Sequence, residues 1–190
     1  MADIRIGFAI TGSFCTFKAV MPQMKRLAEA GYRVTPIMSE NAYATDTRFG
    51  RAQDFISQAE EITGQKVIHT IAQAEPIGPQ KLLDLLIIAP CTGNTLGKLA
   101  AGIYDTAPTL AFKSHRRNSG PVLIAISTND ALANAAAAIG SLMNRKGVYF
   151  VPFEQDDFDG KPASCVADFA RIPEAADAAL RGGQLQPLLL

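Results

Sequence analysis

The stretch LLIIAPCTGNTLGKLAAGIYD, Leu85 to Asp105, decides how this chain is to be read. Leu85 to Ala89 are all apolar and of strand length, the pattern of a strand covered on both faces. Pro90 ends the run, and Thr92, Gly93, Asn94 and Thr95 stand where a helix rich in small residues begins. A strand that passes through small polar residues into a helix is the βα unit of a parallel sheet, and its turn is where backbone amides meet a ligand. One side chain is enough to cap a helix, so four small polar residues together favour a ligand cradle over a plain cap.

Outward from there the rhythm repeats. Strand-like runs occupy Ile4 to Ile10, Arg33 to Met38, Pro121 to Ile126 and Val148 to Phe153. Phe17, Val20, Met21, Met24, Leu27 and Ala28 recur at helical spacing and predict a helix over Thr16 to Ala30. Gly31 should stop it, and Pro22 should bend it because its nitrogen cannot donate to the Lys18 carbonyl. Further helices are predicted over Ala52 to Thr63, closed by Gly64, and over the alanine-rich Ala131 to Arg145, closed by Gly147. Ala74 to Gln80 and Glu154 to Pro162 read as loops. The expected architecture is a single α/β domain over residues 1–190. Its open, doubly wound parallel sheet carries helices on both faces, in three layers of flavodoxin or Rossmann type.

Composition narrows the partners. With 48% hydrophobic residues the chain can bury one core, and its 18 basic residues balance 18 acidic ones, so no summed field draws it to nucleic acid or an anionic membrane. No run is long enough to cross a bilayer and the N-terminus lacks a signal-peptide pattern, so a cytoplasmic protein is expected. Cys15, Cys91 and Cys165 have no metal-ligand spacing with the two histidines, which predicts reduced thiols and no metal site. Cys15 and Cys91 read as packing residues, since only Lys18 supplies a nearby cation. The apolar tail Leu185 to Leu190 suggests packing on a neighbouring copy, hence a homo-oligomer.

Two more loops have the cradle character. In TGSFCTFK, Thr11 to Lys18, Gly12 permits a tight turn and Ser13 offers a hydroxyl and an amide at a helix start. It is neither a G-x-G-x-x-G turn nor a P-loop, so a dinucleotide or nucleoside triphosphate is not indicated, and a structural turn would use the same residues. MSENA, Met38 to Ala42, carries Ser39 and Asn41, either as ligand donors or as a helix cap.

With Gly12-Ser13 after the first strand and Pro90-Cys91-Thr92-Gly93-Asn94-Thr95 before a small-residue helix, the chain resembles a flavoprotein family. That family includes peptidyl-cysteine decarboxylases, phosphopantothenoylcysteine decarboxylase and flavin prenyltransferases. TRFG, AEPIGP, APCTGNT, ISTNDAL, FVPFEQDD and QLQP resemble, over nearly the whole chain, one branch of it. Its members form one component of a two-part synthase that aromatises a dihydropyridine dicarboxylate in spore-forming bacteria.

The resemblance implies FMN, with its phosphate held by Gly12, Ser13, Phe14 and Ser39 and its ring edged by Thr92, Gly93, Asn94 and Thr95. Ser127 and Asn129 of ISTNDAL join this set, Asn129 falling where the decarboxylases also carry an Asn, although Ile126, Thr128 and Leu132 replace its usual neighbours. Pro76 stands where those enzymes have a His, which argues against cysteine decarboxylation, and His69 reads as a satisfied or solvated histidine rather than a substitute base. A dicarboxylate needs cationic partners, and Arg48 and the FKSHRRN residues Lys113, His115, Arg116 and Arg117 are the candidates, with a solvated basic turn as the alternative for the latter group.

The resemblance further implies a partner subunit that is nicotinamide-binding-like, flavin near a boundary between copies, and work in the cytoplasm of the mother cell of a sporulating bacterium. Two other readings stay open: a flavin prenyltransferase, favoured by the basic KSHRR segment, and a non-catalytic flavin-binding assembly subunit, favoured by the absence of a clear acid/base pair.

Overall fold

The computed structural model describes residues 4–190. Five strands form a parallel sheet: β1 (Arg5–Ile10), β2 (Arg33–Met38), β3 (Leu85–Cys91), β4 (Val122–Thr128) and β5 (Val148–Phe150), in the order β2-β1-β3-β4-β5. Every residue of β3 is buried, as its uninterrupted apolar run requires of a strand with helices on both faces. The helices are α1 (Phe17–Glu29), α2 (Glu40–Ala44), α3 (Ala52–Thr63), α4 (Ile71–Ala74), α5 (Gly93–Ala101), α6 (Ala107–Arg116), α7 (Ala136–Met143) and α8 (Ile172–Leu180). Helices α1, α3 and α8 pack together as one layer, and α4, α5, α6 and α7 as the other, so the three-layer expectation holds.

The sheet departs from pure parallel order beyond β4. The run expected as one strand from Val148 to Phe153 breaks at Val151-Pro152, since Pro152 has no N–H to give a ladder. The chain re-enters as a short antiparallel hairpin, β6 (Phe153–Glu154) and β7 (Cys165–Ala167). Strand β4 pairs β5 through Val122 to Ile124 and β7 through Ser127 and Thr128, so its carboxyl end is flanked by the hairpin.

Helix α1 runs unbroken across Pro22, whose ring lies exposed on its outer side. The helix expected from Ala131 starts five residues later. Residues 129–135 form turns instead, with the N–H groups of Ala133 and Ala135 both on the Asp130 carbonyl and that of Leu132 on the carbonyl of Ala163 in the hairpin loop. Alanine's helix propensity is worth a few tenths of a kcal/mol per residue and yields to such a tertiary contact. Helices α6 and α8 lie where no helix was predicted. In the tail, Phe153 exchanges backbone bonds with Leu188 and Leu190, while the side chains of Leu189 and Leu190 remain 68% and 50% exposed.

Candidate functional site

The carboxyl ends of β1, β3 and β4 open into one cleft of about 560 Å³. Three loops build most of it. Gly12 to Thr16 come from β1, Thr92 to Asn94 from β3, and Ser127 to Asp130 from β4; Phe49, Asp156, Lys161 and Ser164 to Val166 complete the wall. The volume is in the range of ordinary cofactor pockets.

Buried Thr11 ties the first two loops together. Its hydroxyl donates to the Pro90 carbonyl at 2.7 Å and accepts the Thr92 N–H at 3.1 Å. The Pro90 carbonyl also accepts the Thr11 backbone N–H at 3.2 Å, at the point where the β3–β4 register shifts between Ile88 and Cys91. The hydroxyls of Ser13 and Ser127 lie 2.7 Å apart, joining the first loop to the third.

The helix starts facing the cleft differ in charge. A 3-10 turn, Phe14–Thr16, leads into α1; neither has an acidic residue in its first turn, and no side chain caps either one. Its first amides have no intrahelical carbonyl to bond and attract an anion. At α5 the Thr92 hydroxyl accepts the Thr95 N–H at 3.3 Å and sits 3.0 Å from the Thr95 hydroxyl, while Asp130 approaches the same helix start. A Cβ on Gly93 would meet the Asp130 carboxylate at 2.6 Å and the Thr128 hydroxyl at 2.7 Å, so a larger residue there would have to displace these side chains. Thr128 in turn donates to Asp130. An anion at the start of α5 would face the Asp130 carboxylate, whereas one at Gly12 to Thr16 would meet no acidic residue in the first turn and no side-chain cap. Between them, the side-chain amides of Asn94 and Asn129 are exposed and make no hydrogen bond among the described residues. The cleft can hold a ligand with one anionic end and a flat, polar-edged body.

The cleft brings together Gly12, Ser13, Phe14, Thr92, Gly93, Asn94, Ser127 and Asn129, with Thr95 buried directly behind Thr92. Ser39 is not among its lining residues, and its hydroxyl accepts the Ala42 N–H and caps α2. Arg48 lies over the ring of Phe49, 4.9 Å from its centre, at the cleft wall.

Lys113, Arg116 and Arg117 do not line this cleft within one copy of the chain. They line a separate cavity of about 710 Å³, where Arg116 donates to the carbonyls of Gly120 and Lys146, just before β4 and β5 at the amino edge of the sheet. Neither is the segment a solvated turn, since it ends α6. His115 is buried against Gly120 with Nε2 3.0 Å from the Pro121 carbonyl, and burial pushes its pKa down, so it supplies no cation. His69 stacks face to face on Tyr43 at 3.7 Å. Pro76 sits in a short 3-10 turn, Glu75–Ile77.

All three thiols are free. Cys91 is buried and its pKa is pushed up by burial, as a packing cysteine should be. Cys15 is not: it is exposed, lines the cleft and lies 3.8 Å from the Ser13 hydroxyl. Cys165 also lines the cleft, its pKa raised by burial and by Asp156. Thr128 and Asp130, which flank Asn129 at the same strand end, also line the cleft. Lys161, Ser164 and Cys165 had no readable signal without the hairpin.

Comparison with known proteins gives the chain's family. The family model described as Flavoprotein matches residues 1–165. The B component of dipicolinate synthase from Bacillus subtilis is 43% identical over 186 residues, covering 98% of this chain and 93% of that protein. Phosphopantothenoylcysteine decarboxylase of Mus musculus is 30% identical over 137 residues, 67% of this chain and 61% of the relative. The crystal structure of the same dipicolinate synthase component from Bacillus halodurans C superposes with a TM-score of 0.91 at 42% identity, covering 100% of this chain and 98% of that one. The FMN-dependent cysteine decarboxylase SpaF shares the fold with a TM-score of 0.70 at 20% identity over 95% of this chain and 98% of its own. By its sequence and its fold, this chain belongs to the flavoprotein family.

Proposed function

We propose that this chain is the flavoprotein component of a dipicolinate synthase, which holds FMN at the carboxyl edge of its sheet and takes part in oxidising dihydrodipicolinate to dipicolinate. The observation that carries the reading is a cleft with an anion-accepting loop at one end and two free amides between its walls, in a chain 43% identical over 98% of its length to a relative of that name. Its partner is the A component of dipicolinate synthase, nicotinamide-binding in character, and the complex works in the cytoplasm of the mother cell.

FMN, when bound, would supply hydride acceptance. The chain's own residues would do the rest. The loop at Gly12, Ser13 and Phe14 takes the phosphate, the Ser13–Ser127 hydroxyl pair fixes that loop, and Asn94 and Asn129 offer donors and acceptors to ring or substrate edges. Asp130 keeps the phosphate from binding the wrong way round, because an anion at α5 would face its carboxylate. The substrate's two carboxylates meet Lys161, which lines the cleft, and Arg48 at the Phe49 wall, rather than the distant Lys113, Arg116 and Arg117. Lys161 is paired only loosely, 3.7 Å from Asp156, and can turn to a substrate carboxylate.

The test is formation of pyridine-2,6-dicarboxylate from dihydrodipicolinate with this chain by itself, with the A component by itself, and with both, each with and without FMN. FMN-dependent turnover by the pair supports the proposal. Turnover by the pair that is indifferent to FMN would leave this chain a role in assembly only. A prenylated flavin as the product would assign it to the prenyltransferases.

A further inference from the structure

We propose that the cationic cavity at the amino edge of the sheet is a second binding site, for a small polyphosphate that carries a flat ring, the chemistry of a nucleoside di- or triphosphate. The proposal does not depend on the flavin reading. Uncompensated charge, unspent donors and an aromatic wall lead to it.

Lys113, Arg116, Arg117, Arg145 and Lys146 line the cavity, with Glu75 as its one acidic lining residue, so five positive charges face one negative and leave an excess of four. Among the described residues none of the five cations forms an ion pair. Like charges gathered around one cavity repel one another, and an anion between them relieves that repulsion. Arg116 is half-buried and burial pushes its pKa down, as expected of a cation that has lost water without gaining a counter-ion.

The two guanidinium groups are held but not used up. Arg116 donates to the carbonyls of Gly120 and Lys146, and Arg145 to those of Leu99 at 3.1 Å and Ala100 at 2.7 Å. These bonds orient each fork without cancelling its charge, and they leave Nε–H and the remaining terminal hydrogens for a ligand. Holding main-chain carbonyls does not account for the rest of the cluster. Lys113, Arg117 and Lys146 are exposed, and among the described residues their side chains make no hydrogen bond.

Size and lining narrow the ligand. A cavity of about 710 Å³ is far larger than a lone phosphate and falls among pockets that take organic ligands. Tyr104, Leu110 and Pro79 give part of the lining an apolar character, and Lys113 lies over the tyrosine ring, 5.3 Å from its centre. A flat ring fits along that wall while phosphate oxygens meet the guanidinium forks. A nucleoside triphosphate carries about four negative charges and matches the excess, whereas a dicarboxylate offsets only half of it. Recognition here is by side-chain charge and not by the aimed amides of a glycine-rich turn, so no sequence motif accompanies it. The cavity lies before Val122 and the flavin cleft beyond Ser127, so the seven residues of β4 separate them by about 20 Å and both can be filled at once.

Titration calorimetry of the full chain with ATP, in the absence of divalent cations, tests this. The wild type should bind ATP in the micromolar range at about 0.05 M salt and about tenfold or more weakly at about 0.5 M. Tripolyphosphate, which has the charge without the ring, should bind about three- to tenfold more weakly, and Tyr104→Leu should weaken ATP by the same factor while leaving tripolyphosphate unchanged. A triple variant, Lys113→Ala, Arg117→Ala, Lys146→Ala, should weaken both probes by about tenfold or more. Removing three exposed cations elsewhere (Lys25→Ala, Arg51→Ala, Lys66→Ala) should change neither by more than about twofold. A wild type that binds no ATP, tripolyphosphate binding as tight as that of ATP, or equal losses in the two triple variants would overturn the proposal; the wild-type measurements stand even if a variant folds poorly.

Discussion

The two edges of the sheet solve opposite electrostatic problems. At the carboxyl edge, uncharged hydroxyls and amides gather around two helix starts, and one carboxylate, Asp130, decides which start remains open to an anion. At the amino edge, five cations gather around a cavity whose one acidic lining residue is Glu75, none of them in an ion pair among the described residues, and main-chain carbonyls hold two of them, Arg116 and Arg145. The more strongly charged edge is not the one that suits a cofactor. A flat ligand with a single phosphate needs aimed amides and close backbone approach, and both occur where strands run into helices.

The sharpest break of this comparison comes from one glycine at each edge. Gly93→Ala would drive a methyl group onto Asp130 and Thr128, and is expected to lower stability by about 1–3 kcal/mol and abolish flavin retention together. At the amino edge, Gly120→Ala would drive a methyl group onto the ring of buried His115, with a similar loss of stability but unchanged flavin affinity in the folded fraction. Urea denaturation and flavin fluorescence separate the two outcomes. Flavin loss in both variants would mean that the edges are not independent.

A second contrast removes side-chain chemistry without touching the fold. Asn94→Asp places a charge where a free amide now stands, and should weaken FMN by about 1–3 kcal/mol while leaving the circular dichroism and melting temperature unchanged. Lys113→Ala with Arg117→Ala should leave FMN affinity within about 0.5 kcal/mol of wild type. If Asn94 only served the helix start, aspartate would do at least as well there, and affinity would not move.

The smallest effect lies with the pair that closes the amino edge of β1 and β3. Arg5 binds Asp84 through two side-chain bonds, at 2.9 and 3.1 Å, and holds its carboxyl below the ordinary carboxylate range. A carboxyl depressed on folding stabilises fully above its unfolded pKa of about 4 and loses that contribution as pH falls through the lower folded value. Asp84→Asn should therefore lower stability by about 0.5–1 kcal/mol at neutral pH, the pair being over a third exposed, and the difference should fade in acid. Melting curves across pH check it, with flavin affinity at neutral pH unchanged.

Much of this was legible in the sequence because it rests on local pattern. Leu85 to Thr95 carry their strand, turn and helix start in eleven consecutive residues, and Gly31 and Gly64 adopt the left-handed φ of 90° and 66° expected after α1 and α3. The position of the FKSHRRN cations was legible too. FKSHRRN precedes the PVLIAI strand, so in a parallel sheet it lies at the amino edge, across the layer from any cleft at strand ends. What was not legible depends on contacts distant in sequence. The delayed start of α7 follows from a bond between Leu132 and Ala163, and Lys161 and Cys165 reach the cleft only because β7 pairs with the last residues of β4. No local periodicity encodes either.

The most direct test of the central claim, that the carboxyl edge holds FMN by its phosphate at Gly12 to Phe14, is a fluorescence titration of the apoprotein with FMN and with riboflavin. A Cβ at Gly12 would meet the Phe14 ring at 3.7 Å and Asn41 at 3.9 Å, ordinary contacts, so Gly12→Ala should fold and act on the ligand alone. The expected result is that wild type prefers FMN over riboflavin by at least about 2 kcal/mol, the worth of a charged hydrogen-bond set, and that Gly12→Ala erases most of that preference. Equal affinity for the two flavins, or a preference that survives Gly12→Ala and disappears in the Lys113→Ala, Arg117→Ala protein, would contradict the account and move the phosphate to the amino edge.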